Sequence, residues 1–262
     1  QTVKFRDLFK YAKDLGADAL ITGHYVSRRQ NGDKAIMYMA KDSNRDQSYF
    51  LFSTTQNQLD YIRFPLGEIE KLETRKIAAR LGLNVANKPD SQDICFVPNG
   101  DYSSVIKKFK PESFRSGDIL NTKGKKIGSH DGIVNFTVGQ RRGIKIASSE
   151  PLYVLKIDTK KNSIIVGPKK NLIIDKIDLR DVNILGSPDE FNDEIKVKVR
   201  STGKLLRARI KILNKNSEVK IIDDETGISP GQACVFYSKD KYGDKLLGGG
   251  WINKTYNKNL ST

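Results

Sequence analysis

The opening stretch VKFRDLFKYAKDLG sets Phe5, Leu8, Phe9, Ala12 and Leu15 three and four residues apart, the spacing of an amphipathic helix, and Gly16 suits the position just past its end. In ADALITGHY the next apolar piece, Ala19 to Thr22, predicts a short buried strand that opens into a loop at Gly23. Helix, tight turn, strand and a glycine at the strand's carboxyl end make half of a βαβ unit, and open α/β sheets bind ligands at that end. Gly23 lets a backbone approach a nucleotide and His24 stands beside it, although many single glycines after strands only turn the chain. KAIMYMA predicts a hairpin strand and Gln56 to Ile62 a second helical stretch. PLGEIEKLETRKIAARLGL predicts a further helix with Leu72, Ile77, Ala78 and Leu81 facing inward and Gly82 ending it. Between them Arg45, Asp46 and Gln47 precede the apolar run Tyr49 to Phe52, and locally this is a helix-start cluster with Asp46 or Ser48 as cap. DYSSVIKKFK predicts a short helix capped by Asp101.

After residue 111 helical periodicity gives way to short alternating stretches broken by Gly, Asn and Asp, including SGDILNTKGKKIG and HDGIVNFTVGQRRGIKI. YVLKIDTKKNSIIVGP is a hairpin with its turn in Thr159 to Asn162. GQRRGIK sets Arg141, Arg142 and Lys145 between glycines, which suits a phosphate contact or simply a solvated loop. From residue 178 five runs, EIKVKVRS, KLLRARIKIL, EVKIID, ACVFYS and KLLGGGWI, alternate apolar with polar or basic residues, the signature of a small closed or half-closed barrel. Lys196, Lys198, Arg200, Arg207, Arg209 and Lys211 alternate along these strands, as outward solvated faces also do, and Cys234 belongs to the core. The expected fold class is α/β plus β: an α/β part over 1–110, a small β-rich domain over 111–177 and a β-barrel over 178–262.

Composition adds the partner class. A net charge of +15 over 262 residues points to a polyanion such as nucleic acid, although lysines spread along a chain also serve solvation alone. Two cysteines, Cys95 and Cys234, cannot build a disulfide scaffold, which favours a reducing, cytoplasmic setting, and no apolar run reaches the length of a membrane span. The chain starts at Gln1 directly in a helical pattern, so an N-terminal portion is expected to be lacking.

The stretch DSQDICFVPN, with Asn87 to Asp90 before it and Pro98 to Gly100 behind, reads as a loop whose apolar piece Ile94 to Val97 pins Cys95. A reactive thiolate needs nearby positive charge. Lys88 is the only close cation in sequence while Asp90 and Asp93 oppose ionisation, so the local sequence favours a half-buried structural cysteine. A cysteine hydrolase pairing Cys95 with His24 or His130 has no motif that orients either histidine.

Taken in order, GADALITGHY, NRDQSYFLF, PLGEIEKLETRKIAARLGL, DSQDICF, HDGIVNFTVGQRRGI, PLYVLKID, ISPGQACVFY and LLGGGWI resemble the bacterial tRNA-specific 2-thiouridylase (MnmA) family over nearly the whole chain. The resemblance implies the C-terminal part of a PP-loop ATPase-type nucleotide-binding domain, similar to adenine-nucleotide α-hydrolases, followed by a tRNA-contacting β-rich domain and a barrel. It implies an enzyme that uses ATP, with magnesium, to adenylate the wobble uridine (position 34) of tRNA and then replaces its C2 oxygen by persulfide sulfur. Cys95 falls on the persulfide-forming cysteine, which replaces the structural reading of that residue, and Gly23 on a backbone contact to ATP. His24, Arg45, Asp46, Gln47, Arg200, Ser201 and Gln232 fall on tRNA contacts, with Ser201 standing where the family often has an aromatic residue. The implied partners are tRNA and a sulfur-donor protein, either a cysteine desulfurase or a sulfur-relay protein, with no metal held by protein ligands and no membrane. The family's Ser-Gly-Gly-x-Asp-Ser phosphate loop and its second catalytic cysteine, the partner in a transient disulfide bond, are not found. Thr2 to Phe5 match the end of that cysteine's context, so these 262 residues alone are expected not to complete thiolation. The competing expectation is a noncatalytic basic RNA-binding protein.

Overall fold

The computed structural model describes residues 7–84, 86, 107–108, 111–213 and 216–258. The chain divides into two compact units, one of Gln1–Lys88, Lys176–Asp223 and Pro230–Thr255, the other of Pro89–Asp175, Asp224–Ser229 and Tyr256–Thr262.

The first unit begins with helix α1 (Leu8–Asp14), which leads through Gly16, in the left-handed region at φ +70°, to strand β1 (Leu20–Ile21). Strands β2 (Ser27–Asn31) and β3 (Lys34–Tyr38) form a hairpin, followed by α2 (Gln56–Tyr61), β4 (Ile62–Arg63) and α3 (Lys71–Arg80). β1 and β4 pair in parallel, Leu20 with Ile62 and Ile21 with Arg63, so the α/β character read from the first motif is present. Thr55 caps α2 through a capping box with Gln58.

Two helices turn differently from expectation. The α1 stripe is not buried: Leu8 is 49% and Leu15 74% exposed, and the helix is held by Phe9, whose ring meets Tyr61 edge-on at 5.3 Å. In α3, Ile77 and Ala78 are half-buried as expected, but Leu72 and Leu81 are exposed. The Tyr25 hydroxyl donates to Thr74 Oγ1 at 3.0 Å, so the face of Thr74, Ile77 and Ala78 turns inward. The predicted helix at DYSSVIKKFK and the whole DSQDICFVPN loop lie outside the described residues, except for a helical turn at 107–108.

The second unit holds β5 (Gly117–Leu120), β6 (Lys126–His130), β7 (Tyr153–Asp158) and β8 (Ser163–Gly167) in the order β6-β5-β8-β7. β5 and β8 run parallel and the other pairs antiparallel. Ile119, Ile144, Val154, Ile164 and Val166 form the core of this sheet. β7 and β8 are the hairpin expected from the sequence, and Asn162 in its turn takes φ +48°.

Strands β9 (Ile173–Ile184), β10 (Ile195–Lys198), β11 (Leu206–Leu213), β12 (Asn216–Thr226), β13 (Ala233–Asp240) and β14 (Gly243–Asn257) pair in the order β13-β10-β11-β12-β9-β14, and β13 with β14 closes the ring into a barrel. Five of these strands match the sequence-based runs. β9 was not among them, because its buried positions fall at Ile174, Ile177 and Leu179 and Asp181 takes φ +51°, which breaks strict alternation. Closure needs glycine at one place above all: a Cβ on Gly248, at φ +134°, would sit 2.1 Å from Asn183 O of the neighbouring strand. β3 pairs with β14 through Tyr38 and Lys245, so the hairpin extends the barrel sheet. One core joins Val26, Met37, Leu51, Phe52, Leu59, Ile62 and Phe64 to Ala233, Val235, Tyr237 and Leu246 of the barrel.

Candidate functional site

The ladder between β1 and β4 continues one step past the strand, where Thr22 N donates to Arg63 O at 3.0 Å. There the chain leaves the sheet through Gly23 and His24 before burying Tyr25 and Val26. Leu8, Leu20, Ile21, Thr22, Gly23, His24 and Gln47 line a cleft of about 450 Å³ at this end. A Cβ on Gly23 would meet only Leu66 Cδ1 at 3.7 Å, an ordinary contact, and its φ is not left-handed. Nothing within the described residues therefore demands glycine at 23, whereas close approach of a ligand would. The His24 ring is bracketed by the Thr22 hydroxyl, which pairs with Nδ1, and by Phe64, edge-on at 6.5 Å.

Gln47 closes the cleft from the polar cluster. Its Oε1 accepts from Tyr25 N at 2.9 Å while its own N–H donates to Tyr25 O at 2.9 Å, so two hydrogen bonds fix the loop against the chain leaving Gly23. Asp46 is turned into the protein instead: Oδ1 accepts from Ala40 N at 2.9 Å and Ser48 N at 3.3 Å, and Oδ2 from Ser48 Oγ at 2.8 Å. The helix-start expectation is half right, since a 3₁₀ turn runs over Ser48–Leu51, but Gln47 occupies the cap position and its side chain does not cap. Arg45 is exposed, with its N–H closing a turn on Asp42 O at 3.0 Å.

The next residues tie this loop to the barrel. Ser48 Oγ lies 3.0 Å from the Tyr237 hydroxyl, and the Tyr49 hydroxyl donates to Ala233 O at 3.0 Å. Burial pushes the Tyr49 phenol up to about 12 and raises Tyr237 further, so both stay neutral donors. The sequence offers Ser48 only as a candidate helix cap, and its contacts with Asp46 and Tyr237 are not foreseen there; the signal for the first is the Asp-x-Ser spacing, in which the carboxylate meets an N–H two residues on.

Arg200 and Ser201 open a turn closed by Gly203 N donating to Arg200 O at 3.0 Å, and the Arg200 side chain runs along Gly203. The register pairs Lys198 with Val235, so this turn and Gln232 lie at the same end of the barrel. Gln232 is exposed and its carbonyl accepts from Ile252 N at 2.8 Å. The predicted residues thus form two groups: Gly23, His24 and Gln47 around the cleft with Arg45 and Asp46 adjoining, and Arg200, Ser201 and Gln232 at the barrel end beside Ala233, to which Tyr49 is bonded. Cys95, with Lys88, Asp90 and Asp93, lies outside the described residues.

Other candidates take structural roles. Cys234 is a free thiol with no exposed surface, and burial raises its pKa, as expected of a core residue. His130 is buried, accepts at Nδ1 from Gly132 N at 3.1 Å, and is held below the ordinary histidine value by desolvation, which fits packing and not general-base work. Arg207 is paired with Asp223 at 2.9 Å and Lys196 with Asp244 at 3.5 Å, while Arg209 and Lys211 are exposed. In the second unit Gln140 braces the GQRRG loop, accepting from Thr137 N at 3.0 Å and donating to Arg142 O at 2.8 Å, with Arg141 and Arg142 exposed. Among the described residues no group of three or more His, Cys, Asp or Glu side chains could hold a metal, and no helix is long and apolar enough to cross a membrane.

Three family models match the chain in series: a tRNA methyl transferase HUP domain over residues 1–99, a tRNA methyl transferase PRC-barrel domain over 103–168 and an aminomethyltransferase beta-barrel domain over 174–252. Curated proteins named tRNA-specific 2-thiouridylase MnmA from Brucella ovis, Brucella suis and Brucella melitensis are each 50% identical over 260 residues, covering 97% of this chain. The chain spans 65% of the length of these relatives.

Proposed function

The chain belongs to the tRNA-specific 2-thiouridylase (MnmA) family, and on that premise we propose that it serves ATP-dependent transfer of sulfur to C2 of the wobble uridine of tRNA in the cytoplasm. The observation that carries this reading is the cleft at the carboxyl end of β1, where Gly23, His24 and Gln47 converge and no contact within the described residues requires glycine at 23. An exposed backbone of this kind accepts a nucleotide closely, and the cleft volume of about 450 Å³ suits the adenosine of ATP. ATP supplies the activation that turns the uracil C2 oxygen into a leaving group. Cys95 carries the persulfide in this proposal, loaded by a donor protein, because a persulfide is more acidic than a thiol and its outer sulfur is transferable.

RNA binding falls to His24, Arg45 and Gln47 beside the cleft and to Arg200, Ser201 and Gln232 at the barrel end, with Asp46 holding the loop between them. The domains divide at 1–110, 111–177 and 178–262. The family models carry a methyl-transfer name and the relatives a thiolation name. Thiolation is favoured because it gives Cys95 a chemical role.

The test is sulfur transfer by the full-length protein to a tRNA transcript with uridine at the wobble position, given ATP and a cysteine desulfurase, with 2-thiouridine read by mass spectrometry. Cys95→Ser abolishes product and leaves tRNA affinity within about twofold, whereas Gly23→Val weakens ATP binding at least about tenfold, or 1.4 kcal/mol. Product from Cys95→Ser refutes the assignment of Cys95. RNA binding by the unaltered full-length protein, with neither nucleotide binding nor sulfur transfer, establishes the noncatalytic RNA-binding reading instead.

A further inference from the structure

Cross-strand register divides the basic residues on the outer wall of the barrel into two kinds. Several are matched to a carboxylate: Arg207 to Asp223 at 2.9 Å, Lys196 to Asp244 at 3.5 Å and Lys176 to Glu218 at 3.2 Å. Arg209 and Lys220 are not. They stand directly opposite each other across the β11–β12 ladder, both exposed, and neither makes an ion pair or hydrogen bond among the described residues. Side chains so placed have Cβ atoms about 5 Å apart, and like charges there repel. A wall that only had to stay solvated would escape this repulsion with a neutral or acidic residue at either position. Lys211, the next outward residue on β11, extends the line, since it faces Glu218, which Lys176 already engages. Arg207 to Lys211 covers about 14 Å of wall. β11 follows the turn that holds Arg200 and Ser201, so this line runs on from the barrel end.

We propose that the outer wall of the barrel, centred on Arg209 and Lys220 with Lys211 beside them, is a second RNA contact that holds backbone phosphates irrespective of base sequence. This rests on the RNA-binding reading above and adds a surface to it. A phosphate seated between Arg209 and Lys220 removes the repulsion by accepting from both, the guanidinium as a two-pronged fork and the ammonium as a point charge. An acidic protein fits this wall less well. Protein interfaces are depleted of lysine at their centres and are anchored by buried aromatic or apolar side chains, whereas the centre of this wall is Arg209, Lys211, Glu218 and Lys220.

The experiment measures the affinity of the full-length protein for an unmodified tRNA transcript over a range of salt, together with the midpoint of unfolding in urea. Lys220→Glu is the diagnostic variant, because it turns a repelling pair into an attracting one. The protein is expected to unfold at an equal or higher urea concentration while tRNA affinity falls at least about tenfold, a combination that misfolding cannot produce. Arg209→Gln and Lys220→Gln each weaken binding about three- to tenfold and lower the slope of log affinity against log salt by about one, and together by about two. The loss is the same for a transcript with cytidine at the wobble position, since phosphate contacts carry no sequence information. Unchanged affinity and slope in Lys220→Glu and in the doubly neutralised variant overturn the proposal, and so does a Lys220→Glu protein that is less stable than the unaltered one. Retained tRNA affinity with lost binding of the cysteine desulfurase overturns it in favour of an acidic protein partner. Failure of the underlying reading looks different: unaltered protein that binds no tRNA removes RNA from every surface, this wall included.

Discussion

Asp46 falls on a tRNA-contacting position by resemblance, yet both its carboxylate oxygens are engaged within the protein. Replacing it with alanine strips acceptors from Ala40 N, Ser48 N and Ser48 Oγ, and Ser48 Oγ is also in contact with the fully buried Tyr237 hydroxyl. Hydrogen bonds to a charged acceptor contribute roughly 1.5–3 kcal/mol each, but Asp46 is half-exposed and water replaces part of what is lost. Asp46→Ala is therefore expected to cost about 2–4 kcal/mol and to lower Tm by roughly 5–15 °C. Asp46→Asn keeps a carbonyl oxygen for the two backbone donors and forfeits the Ser48 hydroxyl contact, so about 1–2 kcal/mol is expected. The single tryptophan, Trp251, packs edge-on against Phe52 at 5.3 Å in the same unit, so its fluorescence in urea reports the transition directly. A loss below about 0.5 kcal/mol in Asp46→Ala would refute a structural role. So would an Asp46→Asn variant of unchanged stability that no longer binds tRNA, because RNA would then be reading the carboxylate.

Further outcomes follow from other sites. Burial opposes ionisation of Glu190, but Lys245, 2.8 Å away, and the Ser187 N–H at 3.0 Å outweigh it and hold the carboxyl below its ordinary value. Its stabilisation is thus complete above about pH 4.5 and fades as pH falls through the lower folded value, so acid unfolding of Glu190→Gln has a shallower pH dependence than that of the unaltered protein. Unchanged steepness would show that the pair is inert. In a Cys95→Ser background, iodoacetamide should label Cys234 only as fast as the protein opens, since the thiol is buried and its pKa raised; rapid labelling of folded protein would contradict that. Arg200→Ala should reduce the slope of log affinity for tRNA against log salt by about one, and an equal slope would remove Arg200 from the RNA surface.

Local spacing was enough for several elements. Strand β3, the β7–β8 hairpin, α2 and five barrel strands follow from period-two or period-3.6 patterns and turn residues, because those patterns record which face is covered. Gly23 marked the cleft for a different reason, since open α/β sheets leave a crevice at the carboxyl ends of their strands. Leu72 and Leu81 were misplaced because periodicity shows that a helix has an apolar side and not whether anything covers it. The bracing of Gly23's loop by Gln47 depends on residues 22 to 24 positions apart in sequence, and the tie from Tyr49 to Ala233 spans 184.

The sequence by itself determined the order of α/β and β segments, the basic character and, through its ordered motifs, the family. Tertiary structure decided that six strands close the barrel, since β9 joins a ring whose closure at β13 and β14 no local pattern encodes. It also decided that Asp46 faces inward while Gln47 meets the cleft: adjacent polar side chains look alike in sequence, and only the distant groups that satisfy their hydrogen bonds tell them apart.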